Sequence, residues 1–459
     1  MTAVDGVTTL DDKKPYEGSQ KRIPRPYWEI FHPFKSWIDV IISILAPLFV
    51  HLSSVASLAA TMCPETITAI NRLRDVVQKL ESYSLHSDPI KWAKGAGCDI
   101  GECTIMVNRH VDILSQWGII DKKCPLLSKL VTAEPENGAV ELILRFPIDL
   151  VPISQTTAEK SRTTGCTIVK FIDLTTIPKD VPIVVWFHGG GQTLGRDGND
   201  AQQTDWFLKL LNAQQDKAKG DHFPPLVVIS VSYRLAPEDP FPAGIVDALS
   251  AVEYIVSNTT KDRKIHFAGV SAGALFATVS CFETWRQYPA CVQSCLALSP
   301  MLNPNADSMS YYMNSRSDGC CPVLFLRWCW RATLQLPESK DTMVGDSETL
   351  DLVLAKGSNQ TTWLECQWSQ TKAWARLTYP ATDIPQGLSP QFVVAPNKAD
   401  ALYNDATEFV TALQIAGANV TLQESLGNHI LGWLTHPGSR MELIELWRKA
   451  VFDPMDGKN

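Results

Sequence analysis

"FAGVSAGALFA", Phe267 to Ala277, runs from an apolar segment through Gly269-Val270-Ser271-Ala272-Gly273 into a helix-forming stretch. A G-x-S-x-G pentapeptide between a strand and a helix is the setting of a nucleophile elbow, a turn so sharp that the serine Oγ projects beyond the sheet. The two glycines matter because a Cβ at either position would strike the neighbouring strand or helix. The pentapeptide alone also occurs in ordinary turns. Its flanks favour Ser271 as a nucleophile, with the N-terminus of the following helix favouring negative charge that develops there.

Outward from this turn the chain alternates strands and helices. "PIVVWF", "PLVVISVSY", "KIHFAG", "SCLALS" and "QFVVAP" are nearly continuous apolar runs, as expected for strands of a mostly parallel sheet covered on both faces. "AVELILRF" and "CTIVKFIDL" alternate as half-buried strands do. "DALSAVEYIV", "AGALFATVSCF" and "ATEFVTALQIAG" read as the intervening helices. The expected fold class is α/β, with a mostly parallel central sheet flanked by helices. The expected organisation is a polar tail at 1–35, an apolar helix at 36–62, N-terminal cap helices at 63–135, a catalytic domain at 136–304 and 381–459, and a cap insertion at 305–380.

A serine hydroxyl needs a base to take its proton and an acid to orient the base. In this topology the acid and then the histidine follow the serine in the chain. Downstream of Ser271 the histidines are His429 and His436. His429, in "VTLQESLGNHILGW", follows a strand-like segment and small turn residues and is favoured over His436, which sits in the polar turn "THPGS". "FVVAPNKADALYND" offers Asp400 and Asp405. Asp400 is the expected acid because it lies nearer the strand end, whereas Asp405 can serve as N-cap of the next helix. Attack on an ester carbonyl creates an oxyanion, which backbone amides must approach without side chains in the way. "HGGG" at 188–191 supplies that access, with Gly190, Gly191 and Ala272 as expected donors, Gly189 giving the turn and His188 bracing the loop. A phosphate cradle fits less well, since no Gly-Lys-Ser/Thr ending or G-x-G-x-x-G pattern follows.

A net charge of -8 and a pI near 5.6 leave no basic stripe for nucleic acid. The cysteine spacings match no zinc pattern, and the expected chemistry requires no cofactor. Val40 to Met62 contains no Lys, Arg, Asp or Glu and is long enough to cross a bilayer. Lys21, Arg22, Arg25 and Lys35 precede it, which favours a cytoplasmic N-terminus and places the bulk in the lumen of the endoplasmic reticulum. Sequons at Asn258, Asn359 and Asn419 and the close pairs Cys98 with Cys103 and Cys291 with Cys295 fit such a lumen. The alternative is a soluble cytoplasmic protein whose run 40–62 is a cap helix and whose thiols are free.

"HGGG", then "VSYRLAPEDPFPAGIVDAL", then "GVSAG", with "DALYND" and "GNHI" downstream, resembles the hormone-sensitive-lipase family of α/β-hydrolases. The resemblance implies an α/β-hydrolase fold, a Ser271-Asp400-His429 triad and an architectural role for the Tyr233 to Glu238 segment. With the apolar run ahead of it, the chain further resembles the steryl acetyl hydrolase branch, fungal membrane enzymes that deacetylate lipophilic alcohols; fungal natural-product pathways hold similar hydrolases. Val270, Ala274, Ala401 and Ile430 depart from the commoner family pattern. The expected partner is a small lipophilic ester, with Trp328, Trp330, Trp363, Trp368 and Trp374 divided between an apolar pocket and plain core. An acyltransferase or cyclase using the same triad, a ligand receptor on the same fold and a structural membrane protein are the rival readings.

Overall fold

The computed structural model describes residues 100–108, 113–119, 139–147, 159–160, 167–168, 174–195, 226–260, 262–314, 321, 323–334, 376–429 and 437–452. The apolar run 40–62, Asn359, His436, Ile430, Cys98, Trp363, Trp368 and Trp374 lie outside them. Among the described residues no helix is long and apolar enough to cross a membrane.

The described elements are β1 (Ile100–Asn108), α1 (Ile113–Gln116), β2 (Ala139–Pro147), β3 (Glu159–Lys160), β4 (Thr167–Ile168), β5 (Ile183–Phe187), β6 (Val227–Ser232), α2 (Ala243–Ser257), β7 (Ile265–Val270), α3 (Ala272–Gln287), β8 (Val292–Leu298), α4 (Met309–Met313), α5 (Val323–Leu334), β9 (Gln391–Ala395), α6 (Tyr403–Ile415), β10 (Val420–Leu422) and α7 (Pro437–Phe452). Eight strands form one sheet in the order β1-β2-β6-β5-β7-β8-β9-β10. The β1/β2 and β2/β6 pairs are antiparallel, and the run from β6 to β10 is parallel.

The continuous apolar runs have the cause expected of them. Ile183, Val185, Phe187, Ile265, Phe267 and Ala297 belong to the core cluster shared with α2, α3 and α6. Their chain neighbours Val184, Trp186, Ala268, Val270, Leu296 and Leu298 form the opposite face, packed with Leu443, Ile444 and Trp447 of α7. Side chains alternate in direction along a strand. Burial of both faces therefore removes the polar half of the alternation.

Four expectations need correction. Residues 63–135 do not hold cap helices alone, because Ile100–Asn108 is an edge strand of the main sheet. Its β-branched Ile100, Thr104, Ile105 and Val107 favour extended backbone, but Gly101 and Glu102 obscure the period. The "CTIVKFIDL" run contributes Thr167 and Ile168 to a separate ribbon with Glu159 and Lys160. Within the 305–380 insertion, α5 packs into the main core through Leu326, Cys329, Trp330 and Leu334. Trp330 is therefore core. Cys291 and Cys295 are separate buried thiols.

Parallel strands bring their C-terminal ends to one rim. Phe187 is in register with Gly269, and Val270 with Leu298, so the glycine loop and the Ser271 turn emerge side by side. The turn closes only without side chains: a Cβ on Gly269 would lie 2.2 Å from the Gly273 carbonyl oxygen, and one on Gly273 would lie 2.1 Å from that of Phe187. Both obstacles are backbone and cannot rotate away. Gly273→Ala is expected to destabilise by about 3 kcal/mol or more, the upper range of overpacking; an unchanged thermal midpoint would contradict this packing.

Candidate active site

Ser271 sits between β7 and α3 as the N-cap of α3, at φ 57° and ψ −121°. A positive φ is costly for a residue with a side chain, of order 1–3 kcal/mol. The surroundings hold it there: the Ser271 amide donates to the Leu298 carbonyl at 2.8 Å, and its own carbonyl accepts from the Met301 and Ala274 amides, each at 3.1 Å. The hydroxyl is buried and points at one partner, with Oγ 3.0 Å from His429 Nε2.

His429 is delivered by the segment after β10, held against the segment after β9 by the Asn397–Ser425 bridge. The amides of Lys398 and Ala399 donate to the carbonyls of Ser425 and Gly427 at 2.9 and 3.0 Å. Asp400 follows on that segment, and its Oδ2 lies 2.8 Å from His429 Nδ1. The second oxygen, Oδ1, accepts from the Leu402 amide at 2.9 Å, which fixes the carboxylate plane. With Nδ1 donating to Asp400, Nε2 is the nitrogen placed to accept a proton from Ser271. Burial opposes charge on His429, but the Asp400 carboxylate, and secondarily the Cys321 sulfur as an acceptor of an imidazole N–H, hold its pKa well above the ordinary value near 6.5. The Cys321 contact is a site feature the sequence reading missed; no spacing or periodicity links that thiol to the imidazole.

Asp405 does not approach His429, and it is not an N-cap. Leu402 takes the cap position of α6, leaving Asp405 in the first turn with its side chain buried. The helix begins earlier than "ATEFVTALQ" indicates because Tyr403 and Asn404 complete its first turn.

The glycine loop follows β5. The turn falls on Gly190 at φ 106°, Gly191 at φ 62° and Gln192 at φ 63°, not on Gly189 as expected. The Gly190 carbonyl accepts from the Thr193 and Leu194 amides at 3.0 and 2.8 Å, so the loop curls back on itself. Gly189 lies against the nucleophile: a Cβ there would be 3.3 Å from Ser271 Cβ. Ala272 opens α3, where first-turn amides lack intrahelical acceptors. Gly189 and the first residue of α3 thus lie beside Ser271.

His188 braces this loop. Its Nδ1 lies 2.7 Å from the Gly189 carbonyl, and its ring stacks on Tyr233 with centroids 4.1 Å apart. Tyr233 donates to the His188 carbonyl at 2.7 Å, and the Ala236 amide donates to the Gln192 carbonyl at 2.9 Å. Arg234 pairs with the buried Asp247 of α2 at 2.9 Å. The Tyr233 to Glu238 segment thus fastens the loop to the helix layer. Among the described residues no cluster of three or more His, Cys, Asp or Glu is placed to hold a metal ion.

Residues 184–347 match the family model described as the alpha/beta hydrolase fold. This chain carries an α/β-hydrolase domain. It is similar to a protein named carboxylesterase NlhH of Mycobacterium tuberculosis, 36% identical over 104 residues, which are 22% of this chain and 28% of that protein. An AB hydrolase superfamily protein of Schizosaccharomyces pombe is 38% identical over 102 residues, 21% of this chain and 26% of that one. The matched segment thus spans little more than a quarter of these relatives. Among solved structures, a hyperthermophilic esterase from Pyrobaculum calidifontis superposes with a TM-score of 0.52 at 16% identity, covering 84% of this chain and 97% of that one. The metagenomic carboxylesterase EstE1 gives 0.51 at 16% identity, covering 83% and 97%. These two show the fold.

Only neutral imidazole can take a proton, so the rate at which a fluorophosphonate labels Ser271 is expected to rise with pH through the elevated His429 pKa. In Asp400→Asn the carboxylate's support is gone while burial remains. The acidic limb then moves to lower pH, and the plateau falls by on the order of 10⁴. A limb that stays in place would contradict the assigned pairing.

Proposed function

We propose that this chain is a serine carboxylic-ester hydrolase with Ser271, His429 and Asp400 as its triad, acting on a small lipophilic ester. The observation that carries the reading is the 3.0 Å contact between Ser271 Oγ and His429 Nε2, made by a serine held at positive φ. A core serine has no need of that conformation. The carboxylesterase names of the relatives support the reaction class.

His429 takes the Ser271 proton as Oγ forms a bond to the ester carbonyl carbon. The carbonyl oxygen takes the negative charge, stabilised by the amides of Gly190, Gly191 and Ala272, beside the close-packed Gly189. When the tetrahedral species collapses, the C–O bond to the alcohol breaks and His429 Nε2 gives its proton to the leaving oxygen. The acyl group stays on Ser271. His429 then takes a proton from water, whose oxygen attacks the acyl carbon, and returns it to Ser271 Oγ as the carboxylic acid departs. Asp400 keeps Nδ1 protonated throughout and stabilises the imidazolium. The uncharged run 40–62 supports a membrane-attached enzyme whose ester partitions into lipid, such as an acetylated sterol or a fungal natural product, with the catalytic domain on the luminal side.

The full chain is expected to release acid from p-nitrophenyl esters and to be labelled by a fluorophosphonate. Ser271→Ala should abolish labelling and lower kcat by on the order of 10⁴–10⁶. Turnover that survives this substitution would overturn the assignment.

A further inference from the structure

Residues 299–314, which run from the end of β8 through α4, make no contact that the proposed chemistry uses, yet they join both ends of the catalytic apparatus. At its start, the Met301 amide donates to the Ser271 carbonyl at 3.1 Å. At its far end, Asn314 Nδ2 donates to the Asp400 carbonyl at 2.8 Å. Ser310 ties the middle to the acid's own loop, donating from Oγ to the Ala401 carbonyl at 2.6 Å and accepting from the Asn404 amide at 3.0 Å.

Under this segment lies Asp405. Its Oδ2 accepts from the Leu302 amide at 3.2 Å, the Asn303 amide at 3.1 Å and the Tyr311 hydroxyl at 3.1 Å. Its Oδ1 accepts from the Ser308 hydroxyl at 3.2 Å. The residue is buried, and among the described residues it forms no ion pair. A buried carboxylate without a cation is costly, and burial pushes the Asp405 carboxyl well above the usual range against the pull of these donors. An apolar residue would avoid that cost and leave two amides and two hydroxyls without an acceptor. What the carboxylate supplies is four hydrogen bonds converging on one rigid group at the first turn of α6.

Resting on the function proposed above, we infer that Asp405 is a positioning residue: it locks the 299–314 segment into a brace that sets the distance between the Ser271 turn and the Asp400 loop. Asp405 touches neither substrate nor His429. It acts through the two loops it joins. Without it, the Asp400 carboxylate drifts from His429 Nδ1, and proton transfer slows while the substrate's own contacts are kept.

The test compares full-length Asp405→Ala, Asp405→Asn and Asn314→Ala with the parent on a p-nitrophenyl ester, with circular dichroism and thermal unfolding alongside. Asp405→Ala is expected to lose kcat by about 10²-fold with KM within about threefold, the scale of a misplacement near 1 Å. Asp405→Asn keeps an oxygen for the three Oδ2 donors and offers Nδ2 to the Ser308 oxygen, which can accept. It should recover kcat to within about fivefold of the parent. Asn314→Ala, which removes a half-buried surface tie, should fold like the parent and lower kcat by about tenfold with KM unchanged; it keeps the test decisive if Asp405→Ala does not fold. Parent-level kcat in a folded Asp405→Ala or in Asn314→Ala, or no recovery in Asp405→Asn, overturns the brace and leaves the hydrolase reading standing. Absence of turnover in the parent itself overturns that reading instead.

Discussion

Ser271 occupies a backbone conformation that its side chain disfavours, and the surrounding architecture exists in a form that makes this tolerable. At φ 57° the chain reverses from strand to helix within one residue, which lifts Oγ off the sheet rim. Holding that reversal demands close backbone approach on both sides. Gly269 and Gly273 permit it, because their missing Cβ atoms would occupy the positions of carbonyl oxygens. The strand register then places the end of β5 beside the turn, and the glycine loop arrives next to the hydroxyl as a consequence of sheet pairing. Strain at the nucleophile, absent side chains around it and parallel strand order are one constraint seen at three scales.

The same constraint explains why acid and base come from separate distant segments. A carboxylate at the tip of β9 and an imidazole beyond β10 reach the serine because the parallel strands end at one rim, where their following segments can pair across the Asn397–Ser425 bridge. The helix layer supports this through buried polar anchors. Arg234 with Asp247 fastens the glycine loop to α2, and Asp405 fastens the segment after β8 to α6. Both anchors act on backbone and touch none of the three triad side chains.

Much of this was readable in the residues because the deciding signals are local. Continuous apolar runs gave away strands buried on two faces, and the G-x-S-x-G glycines announced a turn that only they can make. The placement of Asp400 and His429 followed from chain order and from their positions just past strand ends. Signals that depend on partners far away were less legible. Ile100–Asn108 reads as a strand only once β2 lies beside it, since Gly101 and Glu102 break its alternation. The turn of the glycine loop could not be assigned among three identical residues, and its placement on Gly190 and Gly191 is set by the return bonds from Thr193 and Leu194. Asp405 looked like a helix cap because its real partners, Leu302, Asn303, Ser308 and Tyr311, are about a hundred residues earlier in the chain. The Cys321 contact with His429 crosses a similar distance.

The central claim is that a strained serine, a neighbouring imidazole and side-chain-free amides converge on one reacting carbon. A crystal structure of the protein after reaction with a fluorophosphonate tests it most directly. The account predicts phosphorus bonded to Ser271 Oγ, with the phosphonyl oxygen within about 3 Å of the Gly190, Gly191 and Ala272 amides. A phosphonyl oxygen turned away from those amides, or phosphorus carried on another residue, would contradict it.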